Sequence, residues 1–129
     1  HQMTHRTLAF AAALGLIAAI VAAPTQAADA EAGAKVFKKC KACHTLDEGG
    51  KNKIGPNLFG ILGKQAGSTE GFKYSKAFKK AEFTWDEAEL GKYLTNPRKY
   101  LKGNKMAFPG LKKPEDVENV LAYIMASGG

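Results

Sequence analysis

From Asp29 onward the apolar positions recur with helical period. Gly33, Val36, Phe37 and Cys40 fall at i, i+3, i+4 and i+7, while Lys35, Lys38, Lys39 and Lys41 lie mostly on the other side. The pattern predicts an amphipathic helix that leads straight into Cys40. A glycine on its buried stripe implies close approach by a second helix. The far end of the chain supplies one. Pro114 opens it, Glu115, Asp116 and Glu118 crowd its first turns, and Val117, Val120, Leu121 and Ile124 repeat at the same spacing before Gly128 ends it. Met125, next to Ile124, reads as core packing. The two terminal helices are expected to cross, with Tyr123 near Gly33 and Phe37.

Between them the pattern changes. Residues 51–71 contain Gly55-Pro56-Asn57, Gly60, Gly63, Gly67 and Gly71, a composition of loop and turn. A loop of that length is uncommon in a compact domain unless it wraps something. A helix follows, with Thr84 as N-cap and Glu87 completing a capping box, and with Leu90, Tyr93 and Leu94 as its stripe. Asn96-Pro97 stops it and starts a further short helical turn that Gly103 closes. No alternating run suggests a strand. The expected fold class is all-α with long loops.

The first residues stand apart. Thr4-His5-Arg6 is a short basic start, 8–23 is an almost unbroken apolar run, Pro24 breaks it, and Thr25-Gln26-Ala27 offers small residues for cleavage. This is the layout of a secretory signal peptide over 1–27, which places the protein in the periplasm. A retained membrane anchor is the alternative, but the run is short against the ~20 residues of a span. His1 and Gln2 precede Met3, which is read as the initiator. The remaining domain, 28–129, has 102 residues, so its core is thin and calls for a staple. A disulfide between Cys40 and Cys43 would close too short a loop to serve.

Charge narrows the partners. The 28–129 domain carries seventeen Lys and one Arg against twelve acidic residues, a net charge of +6. Nucleic acid would suit such a surface, but export argues against it, and a single Arg leaves few forked phosphate donors. An acidic protein face is the more economical partner. Hydrated lysine charges steer such a partner without locking it.

The chemistry centres on Cys40-Lys41-Ala42-Cys43-His44, the attachment motif of a c-type haem. Each thiol can add to one vinyl group of the porphyrin, and the adjoining imidazole then faces the iron. The domain has one histidine, His44, and two methionines, Met106 and Met125. A bis-histidine haem is thereby excluded, and the sixth ligand is limited to Met, Lys, solvent or a gas. Met106 lies in a Gly- and Pro-bounded loop from which its sulfur can point inward. As a soft ligand, a thioether favours ferrous iron and raises the reduction potential.

Taken together, the chain resembles the class I cytochromes c, of the mitochondrial and bacterial cytochrome c2 type. The matching residues are Gly33, Phe37, the motif from Cys40 to His44, Gly55-Pro56-Asn57-Leu58, Gly67, Gly71-Phe72, Tyr74, Trp85, Tyr93-Leu94, Asn96-Pro97, Tyr100, 105–108 and Tyr123. They cover essentially the whole domain. The resemblance implies one haem c, with thioethers at Cys40 and Cys43 and with His44 and Met106 as the two axial ligands. It implies that the Pro56 carbonyl holds the other nitrogen of His44. It further implies that Tyr74 and Trp85 donate to a propionate, that Tyr93 lies near the Met106 sulfur, and that Phe108 covers the haem on that side. Lys35, Lys39, Lys53, Arg98, Lys99, Lys105, Lys112 and Lys113 match positions that ring the exposed haem edge. Lys73, Lys76, Lys79 and Lys80 read instead as general solvated surface. Three positions depart from the family's frequent choices: Lys64 for Arg, Phe78 for Asn and Asn104 for Thr.

The expected function is that of a soluble, monomeric one-electron carrier, not an enzyme and not membrane-embedded. It would run between a bc1-type donor and an oxidase, a photosynthetic reaction centre or a periplasmic dehydrogenase. Two other classes compete. A gas sensor or peroxidase-like protein needs an open iron position, which Met106 argues against. A thiol oxidoreductase would use Cys40 and Cys43 directly, but usually within a βαβ pattern that is absent here.

Overall fold

The computed structural model describes residues 28–129, with Ala12 and Gly15. The expected signal peptide over 1–27, and its cleavage point, otherwise lie outside the described residues. Five helices follow in order: α1 (Ala30–Phe37), α2 (Lys76–Lys79), α3 (Glu87–Thr95), α4 (Pro97–Tyr100) and α5 (Pro114–Ala126). Among the described residues the extended chain pairs only at an isolated antiparallel bridge, Gln65 with Thr84. The all-α expectation holds.

Helix α1 starts where Asp29 accepts hydrogen bonds from the backbone N–H groups of Glu31 and Ala32. The Asp29 N–H itself donates to Asn119 Oδ1 at 2.8 Å, fastening the start of α1 to α5. Helix α5 opens on Pro114, with Glu115 and Asp116 facing the positive end of the helix dipole. The two cross as expected, and Gly33 is the reason they can. A methyl group there would collide with the Asn119 carbonyl oxygen and come within 2.8 Å of Tyr123 Cβ. One turn on, the Phe37 ring lies 5.2 Å from that of Tyr123, and Phe37 is only 2% exposed. Val117, Val120, Leu121 and Ile124 are all buried along α5. Burial of such side chains contributes roughly 1.5–3 kcal/mol each, so this crossing is the main body of a thin core.

Met125 does not belong to that core. It is 49% exposed, because the next residue along a helix turns ~100° away and Ile124 already closes the stripe. The cap of α3 also differs from expectation. Asp86, not Thr84, is the N-cap, its carboxylate accepting from the Glu89 N–H at 2.7 Å. Thr84 is taken up by the bridge to Gln65, whose surroundings add Trp85 N–H to Lys64 O at 2.8 Å and Ala66 N–H to Phe83 O at 2.8 Å. Those bonds pin Trp85. Helix α2 was not expected at all. It has four residues, capped by Ser75, and no buried side chain, so no apolar stripe could betray it.

The glycine-rich stretch is loop, as its composition predicts, and Asn57 satisfies several of the polar groups near its start. Asn57 donates to Thr45 Oγ1 at 2.7 Å and to the Asp47 carbonyl at 3.0 Å, and accepts from the Phe59 N–H at 3.1 Å. Farther along, Gly60 N–H bonds to the Gly128 carbonyl at 2.7 Å, tying the loop to the chain end.

Candidate functional site

The loop after α1 brings two thiols and an imidazole together. Cys43 and His44 each donate a backbone N–H to the Cys40 carbonyl, at 3.1 and 2.9 Å, so the motif is wound into a tight turn. Both cysteines are free and half-buried. Burial pushes the Cys40 thiol up, the neighbouring Cys43 adds to this, and Lys39 opposes it. A redox nucleophile needs a lowered thiol pKa, so Cys40 is poorly set for thiol exchange. That weighs against the oxidoreductase class.

His44 lies 2.7 Å from the Pro56 carbonyl through Nδ1. A carbonyl only accepts, so Nδ1 carries the proton and Nε2 presents a lone pair. Burial is the main influence that lowers the imidazole's pKa, the bond to Pro56 opposes it, and the charge of Lys53 lowers it further. The neutral, ligating form is therefore favoured. The segment that holds it is close-fitting: a methyl on Gly55 would run into the ring, with Nδ1 2.7 Å away. Gly55 N–H in turn bonds to the Cys43 carbonyl at 2.8 Å.

Met106 is held from two sides. The Tyr93 hydroxyl donates to its sulfur at 3.5 Å. Tyr93 is buried in α3, and burial keeps its phenol well above the ordinary range, hence protonated and able to donate. Asn104 secures the backbone. Its Nδ2 donates to the carbonyls of Pro97 at 2.8 Å and Leu101 at 2.7 Å, while its Oδ1 accepts from the Met106 N–H at 3.0 Å. One amide thus joins both ends of α4 to the Met106 loop. A hydroxyl has one proton to donate, so a Thr at this position could not make both of those bonds at once. Asn104 was singled out only as a departure; its role depends on where α4 places the Pro97 and Leu101 carbonyls.

The aromatic wall continues from Tyr93. Trp85 is 4% exposed, with its ring centroid 5.1 Å from Tyr93 and 4.9 Å from Phe83. Phe78 packs edge-on to Tyr93 at 5.9 Å and lies 5.8 Å from Tyr74. Tyr74 accepts from the Thr69 N–H at 2.9 Å, which leaves its own proton free. Thr69 Oγ1 is buried without a partner. Lys64 donates to the Phe59 carbonyl at 3.3 Å, so its ammonium serves the loop. Phe108 is half-buried against the core. Lys35, Lys39, Lys53, Arg98, Lys99, Lys105, Lys112 and Lys113 are all exposed.

These residues fit a haem. Among the described residues no cluster of three or more His, Cys, Asp or Glu could hold a metal ion by itself. The paired thiols, the unprotonated Nε2 of His44, the buttressed sulfur of Met106 and the unspent Tyr74 and Thr69 hydroxyls are the groups that would hold the haem. Fold and site together define a small all-helical protein with one covalent c-type haem site.

Comparison with known proteins gives the family. The cytochrome c family model matches residues 30–127. The chain is 49% identical over 106 residues to cytochrome c of Guizotia abyssinica, an alignment covering 81% of this chain and 96% of the relative. It is 49% identical over 98 residues to cytochrome c2 of Rhodoblastus acidophilus, covering 76% and 92%. Among solved structures it is similar to cytochrome cH from Methylobacterium extorquens, with a TM-score of 0.71 and 43% identity over 76% of this chain and 98% of that one. The chain belongs to the cytochrome c family. It is accordingly an electron-transfer protein rather than an enzyme, and its cofactor is haem c bound covalently through Cys40 and Cys43.

Proposed function

We propose that the protein is a soluble, monomeric, periplasmic one-electron carrier with His44 and Met106 as the axial ligands of its haem. It would take electrons from a bc1-type complex and pass them to an oxidase, a photosynthetic reaction centre or a periplasmic dehydrogenase. The observation that carries the reading is the paired support of the two donors: His44 fixed by Pro56 at 2.7 Å, and Met106 fixed by Tyr93 at 3.5 Å. When bound, haem c supplies the ferric/ferrous couple. The protein's part is to hold a neutral imidazole and a thioether in place without proton exchange at either. The Met106 support also disfavours the gas-sensor and peroxidase-like readings, which require an open position.

The periplasmic assignment rests on the leader pattern over 1–27. Among the described residues no helix is long and apolar enough to cross a membrane. Acidic docking faces suit the exposed cations, and their attraction fades as ionic strength rises above the ~10 Å screening length of 0.1 M salt. The test is stopped-flow electron transfer between the haem-loaded protein and membrane fractions of the source organism at varied salt. Rapid transfer that slows steeply with salt is expected. Transfer indifferent to salt, or a ferric form that is high-spin and binds carbon monoxide at once on reduction, would refute the reading.

A further inference from the structure

Ile54 is 80% exposed, the larger of two such exposures among the described large hydrophobic residues. A lone exposed aliphatic side chain is ordinary on a protein surface. Its mounting is not. The backbone on either side is fixed: Lys53 N–H bonds to the Gly55 carbonyl at 2.9 Å, and Gly55 N–H to the Cys43 carbonyl at 2.8 Å. The Lys53 ammonium donates to the Lys41 carbonyl at 3.0 Å, bracing the turn from outside. Gly55 packs on the His44 ring and Pro56 holds its Nδ1. Ile54 is therefore held out in water on the same rigid turn that backs the imidazole. It has little backbone freedom left to lose on meeting a partner.

The charges around it are mostly positive. Lys41, Lys51 and Lys53 are exposed on this loop, and Asp47 and Glu48 are its acidic members. An apolar knob among cations has the anatomy of a contact centre with a charged rim. We propose that Ile54 is an apolar anchor of the docking face, seated in an apolar socket rimmed by carboxylates on the redox partner. This rests on the electron-carrier reading above and names the residue that sets contact strength, where the lysines set approach.

The test uses haem-loaded Ile54→Thr, Ile54→Val and Lys53→Gln proteins, oxidised and reduced by membranes of the source organism across a range of ionic strength. Ile54→Thr is expected to raise KM about tenfold, the effect of losing roughly 1.4 kcal/mol of contact, with kcat within twofold. Its salt slope should match the parent's, Ile54→Val should restore the parent KM, and the melting temperature should not move. Lys53→Gln should flatten the salt slope. A KM for Ile54→Thr within twofold of the parent with every membrane, while Lys53→Gln weakens binding, overturns the anchor and leaves the basic face standing. Loss of parent self-association in Ile54→Thr, with KM unchanged, overturns it in favour of a second copy of this chain. Salt-independent transfer by the parent would instead sink the underlying docking reading.

Discussion

Two glycines in helices make opposite predictions when each is changed to alanine. Gly33 lies in α1, where an added methyl meets the Asn119 backbone oxygen and Tyr123 Cβ of α5. Backbone cannot rotate away, so the helices must part. Overpacking of this kind costs up to about 3 kcal/mol, and the better helix propensity of alanine returns about 1 kcal/mol. The net loss is about 2 kcal/mol, which for a domain of this size lowers the melting temperature by about 10 °C. Gly91 lies in α3, where the methyl would sit 3.5 Å from Leu121 Cδ1 and 3.7 Å from Val117 Cγ1, ordinary packing distances. There the propensity gain stands alone, and Gly91→Ala should stabilise by about 0.5–1 kcal/mol. The assay is guanidinium unfolding of both haem-loaded variants and the parent, followed by far-UV ellipticity. Gly33→Ala within about 0.5 kcal/mol of the parent, or less harmful than Gly91→Ala, would refute the claim that the α1–α5 approach requires a hydrogen at residue 33.

Three further outcomes follow from the site. With Met106 as the proposed sulfur ligand, Met106→Ala should lose the far-red sulfur-to-iron absorption band and lower the reduction potential, since a soft ligand to ferrous iron would be gone; spectroscopy with potentiometric titration checks both. Asn104→Ala removes an acceptor from the Met106 N–H and two donors from α4, so the pH at which that band fades should fall by about one unit, equivalent to about 1.4 kcal/mol. An Asn104→Thr variant should recover only part of it. Tyr100 donates to the Glu89 carboxylate, and burial first, then this bond, hold its phenol above the ordinary range. A folded-state pKa raised above the unfolded ~10 means that the folded form keeps its proton longer as pH rises, so stability falls above about pH 10. Tyr100→Phe should be less stable at neutral pH yet lose part of that alkaline decline, measured by denaturant midpoints from pH 8 to 11.

What the sequence made legible was whatever repeats or stands out chemically. The terminal helices, their crossing at Gly33 and the Phe37–Tyr123 contact follow from a 3.6-residue period with a glycine in it. The haem motif is five consecutive residues. What escaped depends on side-chain geometry that no spacing encodes. Thr84 and Asp86 are both good caps two residues apart, and only the bridge to Gln65, distant in sequence, decides between them. Met125 sat beside the buried stripe and differed by one residue's rotation. Helix α2, at four residues, offers too little chain for a period to show. The double reach of Asn104 to Pro97 and Leu101 could be drawn only once α4 had a position.

The site residues share a property that ties fold to electron transfer. A carrier whose centre changes charge by one unit works best when its surroundings hardly move, because dipoles already aimed need not be re-aimed. His44 is fixed at Nδ1 by a backbone carbonyl and on its ring by Gly55, so it can neither flip nor tilt freely. Met106 is fixed at its sulfur by a phenol that stays protonated across the physiological range, and at its N–H by an amide that does not titrate. Phe78, packed edge-on to Tyr93, puts hydrocarbon beside that phenol. The exposed lysines, by contrast, carry long flexible stems, and surface ion pairs of that kind are weak and salt-sensitive. Rigid donors within and loose charges outside divide the task. On the proposed reading the interior would set the potential, while the surface would set how often and how briefly a partner is met.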